Sequence, residues 1–139
     1  MQTILGAGGD IGKLLALELK NYTNDIRLVS RNPQKVNNTD ELFKADLTNR
    51  EAVFEAVKGS SVVYLTVGYA YKLKIWQQLW IPTMQNTIDA CLAHGAKLVF
   101  FDNIYMYGKE AMHHITEESI VNPPSKKGKI RATVAQMLL

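Results

Sequence analysis

Seven residues near the start constrain this chain more than any other stretch. Gly6-Ala7-Gly8-Gly9-Asp10-Ile11-Gly12 follows a short apolar run, Thr3-Ile4-Leu5, and leads into Lys13-Leu14-Leu15-Ala16-Leu17-Glu18-Leu19. That order reads as strand, glycine turn and helix. The first glycine permits a tight turn, the middle ones let a phosphate approach the backbone, and the last lets helix and strand pack closely. The free amides and partial positive charge of the helix start then face an anion. Gly6, Gly8, Gly9, Asp10, Ile11 and Gly12 are therefore candidate binding residues for a dinucleotide pyrophosphate.

The rest of the chain repeats the strand-then-helix alternation. Leu14, Leu15, Leu17 and Leu19 predict an apolar face on a first helix that ends near Asn21-Tyr22. Strands are expected at Asp25–Ser30, Leu42–Ala45, Ser61–Val67 and Lys97–Phe101, with Gln34-Lys35-Val36 as a short turn or helix. Thr48 or Asn49 can cap a helix from Arg50 to about Lys58, which Gly59 stops. A long helix is expected from about Ile75 to Ala93, kinked or broken at Pro82, with Ala90 to Ala93 facing inward. Asp102 to Asn122 reads as irregular, and a last helix follows Pro123-Pro124-Ser125 to the end. Short apolar strands suit a sheet covered on both faces. The predicted class is α/β: a doubly wound, Rossmann-like parallel sheet of five strands in the order 3-2-1-4-5, with helices on both faces.

Composition narrows the partners. A chain of 139 residues supports one domain, and 47% hydrophobic with 21% charged residues is ordinary for a globular protein. A net charge of +3, scattered along the chain, does not predict nucleic-acid binding. No apolar stretch is long enough to span a membrane. The start, Met1-Gln2-Thr3, lacks the features of a secretory signal. A lone Cys91 in an apolar helical stretch fits a reducing cytoplasm. The adjacent His113-His114 has no third ligand at a useful spacing, so no metal site is expected. Trp76, Leu79 and Trp80 fall on helical spacing and read as core or as an oligomer face. The apolar ending, Ala135-Gln136-Met137-Leu138-Leu139, and an uncovered fifth strand suggest the N-terminal part of a longer protein that lacks its substrate domain. The alternative is a small domain that forms a homo-oligomer through the exposed sheet edge or apolar helix.

Taken together, these residues resemble the extended and atypical short-chain dehydrogenase/reductases, the NAD-dependent epimerase/dehydratase group. The resemblance rests on Gly6 to Gly12, on Ala45-Asp46-Leu47, on Leu65-Thr66-Val67-Gly68, and on the segment from Phe100 to Tyr107-Gly108. It implies that Asp46 and Leu47 meet the adenine and that Leu65, Thr66 and Val67 pass the ribose and nicotinamide side. Family members carry Ser or Thr where this chain has Asn103. They also carry a Tyr-x-x-x-Lys pair, whose Tyr is the general acid/base; Lys127 and Arg131 occupy those two positions here. Candidate catalytic residues are thus Asn103, Lys127, Arg131 and Tyr105, the last as a substitute phenol or simply as a packing residue.

The cofactor form follows from the end of the second strand. An acid there would bond the adenosine 2′-hydroxyl of NAD. The chain has Val29-Ser30-Arg31-Asn32-Pro33 instead, so Ser30 and Arg31, with Lys35 as a further candidate, are expected to hold a 2′-phosphate, and NADP is favoured over NAD. Two functions fit: an oxidoreductase or nucleotide-sugar epimerase/dehydratase-like protein acting on a small molecule, or a nucleotide-binding module or inactive fragment without turnover.

Overall fold

The structure, a computed structural model, describes all residues, 1–139. Five strands, β1 (Gln2–Leu5), β2 (Ile26–Ser30), β3 (Glu41–Lys44), β4 (Val62–Leu65) and β5 (Lys97–Phe100), form one sheet. Their order is β3-β2-β1-β4-β5, with every neighbouring pair parallel. The helices are α1 (Asp10–Leu19), α2 (Arg50–Val57), α3 (Leu73–His94) and α4 (Lys126–Gln136), with one short 3-10 turn at Lys109–Ala111. The chain divides into two compact units: Met1–Gly68 with Gln85–Phe101, and Tyr69–Met84 with Asp102–Leu139.

The first unit holds the whole sheet. Ile4, Leu5, Leu28, Val29, Val63 and Leu65 are fully buried, because β1, β2 and β4 are covered on both faces. The edge strand β3 is mostly exposed and carries Glu41 and Lys44, a charged edge that discourages further pairing. Thr3 is the polar exception in β1, and its buried hydroxyl pairs with the Ser60 hydroxyl at 2.7 Å.

The inward face of α1 differs from the leucine face expected of it. Its buried residues are Gly12, Ala16 and Leu19, whereas Leu14 is 60% exposed and Leu17 50% exposed. The glycine turn sets the phase of this helix. With Gly12 packed inward, the residues four and seven positions later follow it, and the bulky leucines between them turn outward.

Capping decides the other ends. Asn49, rather than Thr48, caps α2 by accepting from the Ala52 amide at 3.0 Å. Gly59 follows α2 with φ +77, a left-handed conformation that stops the helix. The segment around Val36 is a turn, not a helix: the Asp40 carboxylate accepts from the Val36 and Asn37 amides at 3.1 and 2.6 Å.

Pro82 neither breaks α3 nor shortens it; the helix is continuous from Leu73 to His94. Proline removes one backbone hydrogen bond, and the apolar stripe through Trp76, Trp80, Met84, Ala90 and Cys91, all buried, holds the helix together across it. Leu92 is 77% exposed and Ala93 is exposed too, so the inward run ends at Cys91, two residues earlier than expected. Burial pushes the Cys91 thiol up to about 11. The second unit contains the first half of α3, the largely irregular 102–125 segment and α4. Its only pairing of extended backbone is the isolated bridge between Tyr107 and Val121.

Candidate functional site

In the first unit, β1 runs into the glycine turn and the turn opens α1. The Gly6 and Ala7 amides both bond the Val29 carbonyl, at 2.9 and 3.1 Å, which ties the turn to β2. Gly6 has φ +96, and a side chain there would collide with the Val67 backbone. Any other residue would be strained at that φ and pushed against the end of β4. Gly8 and Gly9 are exposed, and a Cβ on either would meet nothing closer than 3.7 Å. Their role is to leave backbone accessible rather than to relieve a clash.

What the turn leaves open is the helix start. Gly9 is the N-cap of α1 and offers no side-chain hydrogen bond. By contrast, Asn49 caps α2, and Ser125 caps α4 through the Gly128 amide. The first-turn amides of α1 therefore have no side-chain acceptor, at the point where the bare backbone of Gly8 and Gly9 is exposed. This is the local chemistry of an anion site. One feature opposes it: Asp10 puts a carboxylate in the same turn.

The other cofactor candidates gather at the carboxyl ends of the neighbouring strands. The Ser30 hydroxyl, at the end of β2, is buried without a hydrogen-bond partner. It is also the nearest atom to where a Gly8 side chain would stand, at 3.7 Å. Arg31 is exposed next to it. Asp46 accepts from the Thr48 amide at 2.9 Å and the Thr48 hydroxyl at 2.7 Å. Those two bonds, the backbone one foremost, hold its carboxyl below the usual range, and the Arg31 charge adds to them. Leu47 and Leu65 are buried. Thr66 is fixed by its amide and hydroxyl on the Leu5 carbonyl, at 2.9 and 3.3 Å. The Gly6–Gly12 turn, Ser30, Arg31, Asp46 and Thr66–Val67 thus belong to one unit, and the uncapped helix with its glycine cradle fits a pyrophosphate.

Asn103, Tyr105, Lys127 and Arg131 belong to the second unit. Gly128, one turn into α4, is buried, and a side chain there would strike the Tyr105 carbonyl. That glycine brings α4 against the 102–105 segment. Lys127 then donates to the Tyr71 carbonyl at 3.2 Å and sits 3.3 Å from the centre of the Tyr71 ring. Tyr71 meets Tyr105 edge-on, and Tyr105 stacks on Trp76 at 6.1 Å. A hydrogen bond with the Tyr71 side chain raises the Tyr105 phenol above its ordinary value, while the Lys127 charge pulls the other way.

Arg131 lies apart from solvent. It is 1% exposed and binds Asp102 Oδ1 through both Nε, at 2.9 Å, and Nη2. Its guanidinium lies 4.2 Å from the centre of the Trp80 ring. Burial lowers its pKa, and the bonds to Asp102 oppose that shift. The candidate catalytic residue at the family's lysine position is thus part of the core of this unit. Sequence reasoning missed Asp102 as its partner, and it missed Tyr71 as the ring beneath Lys127. The signal for Asp102 was a carboxylate directly after an apolar strand; the Tyr71 contact had none.

A family model described as NAD(P)H-binding matches residues 6–137. No curated protein matches the sequence. Among solved structures, uronate dehydrogenase from Agrobacterium tumefaciens superposes with a TM-score of 0.85 at 19% identity, over 98% of this chain and 53% of that one. The Bordetella bronchiseptica enzyme WbmG, solved with NAD and UDP, gives 0.84 at 17% identity, over 99% and 48%. A UDP-glucose 4-epimerase gives 0.84 at 16% identity, over 99% and 46%. At these identities the likeness is one of fold, and it agrees with the resemblance read from the sequence. The chain spans about half the length of the structures it matches.

Proposed function

Because the chain belongs to the NAD(P)H-binding family, we propose that its first unit binds NADP(H) in preference to NAD(H), and that the protein is an oxidoreductase or nucleotide-sugar epimerase/dehydratase acting on a small molecule. The observation that carries the nucleotide reading is the uncapped start of α1 behind Gly6–Gly9. The pyrophosphate rests on Gly8 to Gly12, the adenine lies by Asp46 and Leu47, and Leu65, Thr66 and Val67 border the ribose. The preference for NADP is supported by the unpartnered Ser30 hydroxyl beside the exposed Arg31, with no acid at the end of β2. A hydroxyl donor and a guanidinium suit a 2′-phosphate, whereas a 2′-hydroxyl calls for an acceptor.

When bound, the cofactor supplies hydride exchange at its nicotinamide. The chain's own part is proton handling. Tyr105 carries the phenol that could exchange a proton: its hydrogen bond with Tyr71 raises its pKa and so opposes release, while the Lys127 charge favours the phenolate. A second reading, a nucleotide-binding module without turnover, is favoured by one observation: the residue at the family's lysine position, Arg131, is buried on Asp102. The lone buried Cys91 suits a cytoplasmic protein. The exposed β5 edge and the outward leucines of α1 are the surfaces for a homo-oligomer.

Calorimetric titration with NADPH and NADH tests the nucleotide reading. Binding of NADPH at least tenfold tighter than NADH is expected. No binding of either at millimolar concentration would remove the proposal. Turnover assays, with Tyr105→Phe as the diagnostic variant, separate the enzyme from the module.

A further inference from the structure

The helix α1 covers only half of one face of the sheet. Its Ala16 and Leu19 pack on Ile4, Ile26 and Leu28 of β1 and β2, with Tyr64 at the margin. In the parallel register Ile4 stands beside Tyr64, and Tyr64 beside Val99. Gln2, Val62 and Lys97 align in the same way. Residues in register share a face, and alternation along the chain adds Phe101. The β4–β5 half of this face is therefore Val62, Tyr64, Lys97, Val99 and Phe101. It is open: Val99 is 39% and Phe101 58% exposed, and Lys97 is exposed. The outward side of α1 is apolar too. At about 3.6 residues per turn, Leu14 and Glu18 point opposite the inward Gly12 and Ala16, with Leu17 and Asp10 beside them. All these residues belong to the first unit.

We propose that a second copy of this chain covers both surfaces at once: α1 of each copy lays Leu14 and Leu17 on the open β4–β5 face of the other, about a two-fold axis, so that the two helices form one layer between two sheets. A two-fold contact is self-complementary, so a helix surface and a sheet surface of the same chain satisfy each other twice. Charge agrees with this pairing. The open sheet face carries one ionic group, Lys97, and the outward side of α1 carries the acids Asp10 and Glu18, while Lys13 and Lys20 lie to one side. Neither Lys97 nor Glu18 has an ion-pair partner within its own chain. The Tyr64 hydroxyl donates to the Gln2 side-chain oxygen at 2.8 Å, so covering the face strands neither of those atoms. Pairing of two β5 edges, by contrast, would leave the α1 leucines in water. The inference rests on the homo-oligomer reading above, narrows it to this pair of surfaces, and needs no nucleotide.

Sedimentation velocity on the full chain at micromolar concentration is expected to show a dimer. Leu17→Lys and Val99→Lys replace exposed side chains, and circular dichroism checks that each variant is folded. Each should weaken dimerisation at least tenfold. Glu18→Lys and Lys97→Glu should each weaken it about fivefold, and the double variant should recover the affinity of the unaltered chain. Crosslinking reads the topology. A short bis-maleimide should join a Leu14→Cys copy to a Val99→Cys copy in preference to joining either variant to itself; Cys91 is buried and stays silent. A monomer at every concentration would overturn both the inference and the homo-oligomer reading. A dimer that Leu17→Lys leaves intact, or Val99→Cys copies that join only each other, would overturn the inference and leave the β5 edge as the interface. A double charge variant no stronger than the single ones would overturn it as well.

Discussion

Gly12 and Ala7 are packed backbone to backbone: a Cβ on Gly12 would stand 2.8 Å from the Ala7 Cα, closer than any real contact allows. The same atom would lie 2.9 Å from the Gly6 carbonyl oxygen. Neither neighbour is a flexible side chain, so even one methyl group must push α1 off the turn. Gly12→Ala is expected to cost about 1–3 kcal/mol of stability by overpacking. It should also weaken NADPH binding at least tenfold, since the displaced helix start no longer faces the phosphates. Urea denaturation and calorimetry measure the two effects.

Ser30 and Arg31 make the cofactor preference separable from overall binding. Arg31→Ala removes a charge-assisted donor and is expected to weaken NADPH by about tenfold, the lower end for a bond to a charged group, because the site is exposed. NADH should change by less than twofold. Ser30→Ala should act in the same direction with a smaller effect. Equal losses for both nucleotides would show that these residues do not read the 2′-phosphate.

Asp10 is the residue whose replacement should improve the site. Its carboxylate stabilises the start of α1 in the free protein but repels a phosphate at the same place. Asp10→Asn is expected to tighten both NADPH and NADH by about two- to fivefold at low salt, in line with an interaction of 0.3–1 kcal/mol. Raising the ionic strength should shrink the gain. A gain for only one nucleotide would contradict the phosphate explanation, since both carry the same pyrophosphate.

Asp46 gives a pH signature. Its carboxyl is held below 3.8 chiefly by the Thr48 amide and then by the Thr48 hydroxyl. A group whose folded pKa lies below its unfolded value stabilises the fold fully above the unfolded value. The contribution disappears as pH falls through the folded one. The turn after β3 should therefore be constant from neutrality down to about pH 4 and loosen only below that. Thr48→Val, which removes the hydroxyl but not the amide, should move the Asp46 titration part of the way back up. Carbon-detected titration of the Asp46 carboxyl measures this directly.

The sheet and the glycine turn were legible because both rest on local rules. Short apolar runs set between polar or glycine turns and alternating with helices read as buried strands, and parallel pairing then leaves few orders. The glycine turn was readable because a backbone requirement shows in sequence as a missing side chain. The inward face of α1 was not, since four leucines outweigh one glycine in any hydrophobic pattern, yet the close approach at Gly12 sets the helix phase. The break expected at Pro82 is absent for a related reason: the stripe from Trp76 to Cys91 acts over the whole helix. Arg131 was the largest miss. Its position in a motif suggested a catalytic residue, whereas its partner Asp102 lies far away in sequence and becomes a neighbour only once α4 packs through Gly128.

The strand order also governs when the glycine turn can take shape. β1 pairs with β2 on one side and with β4 on the other, Gln2 meeting both Ile26 and Val62. The turn at Gly6 leans on Val29 and abuts Val67. A ribosome therefore delivers the glycine turn about sixty residues before its second wall at Val67. Until the segment through Val67 has emerged, the turn is an open, unsupported loop. A nucleotide can then help folding only in its closing stage, by trapping a sheet whose three central strands have already met.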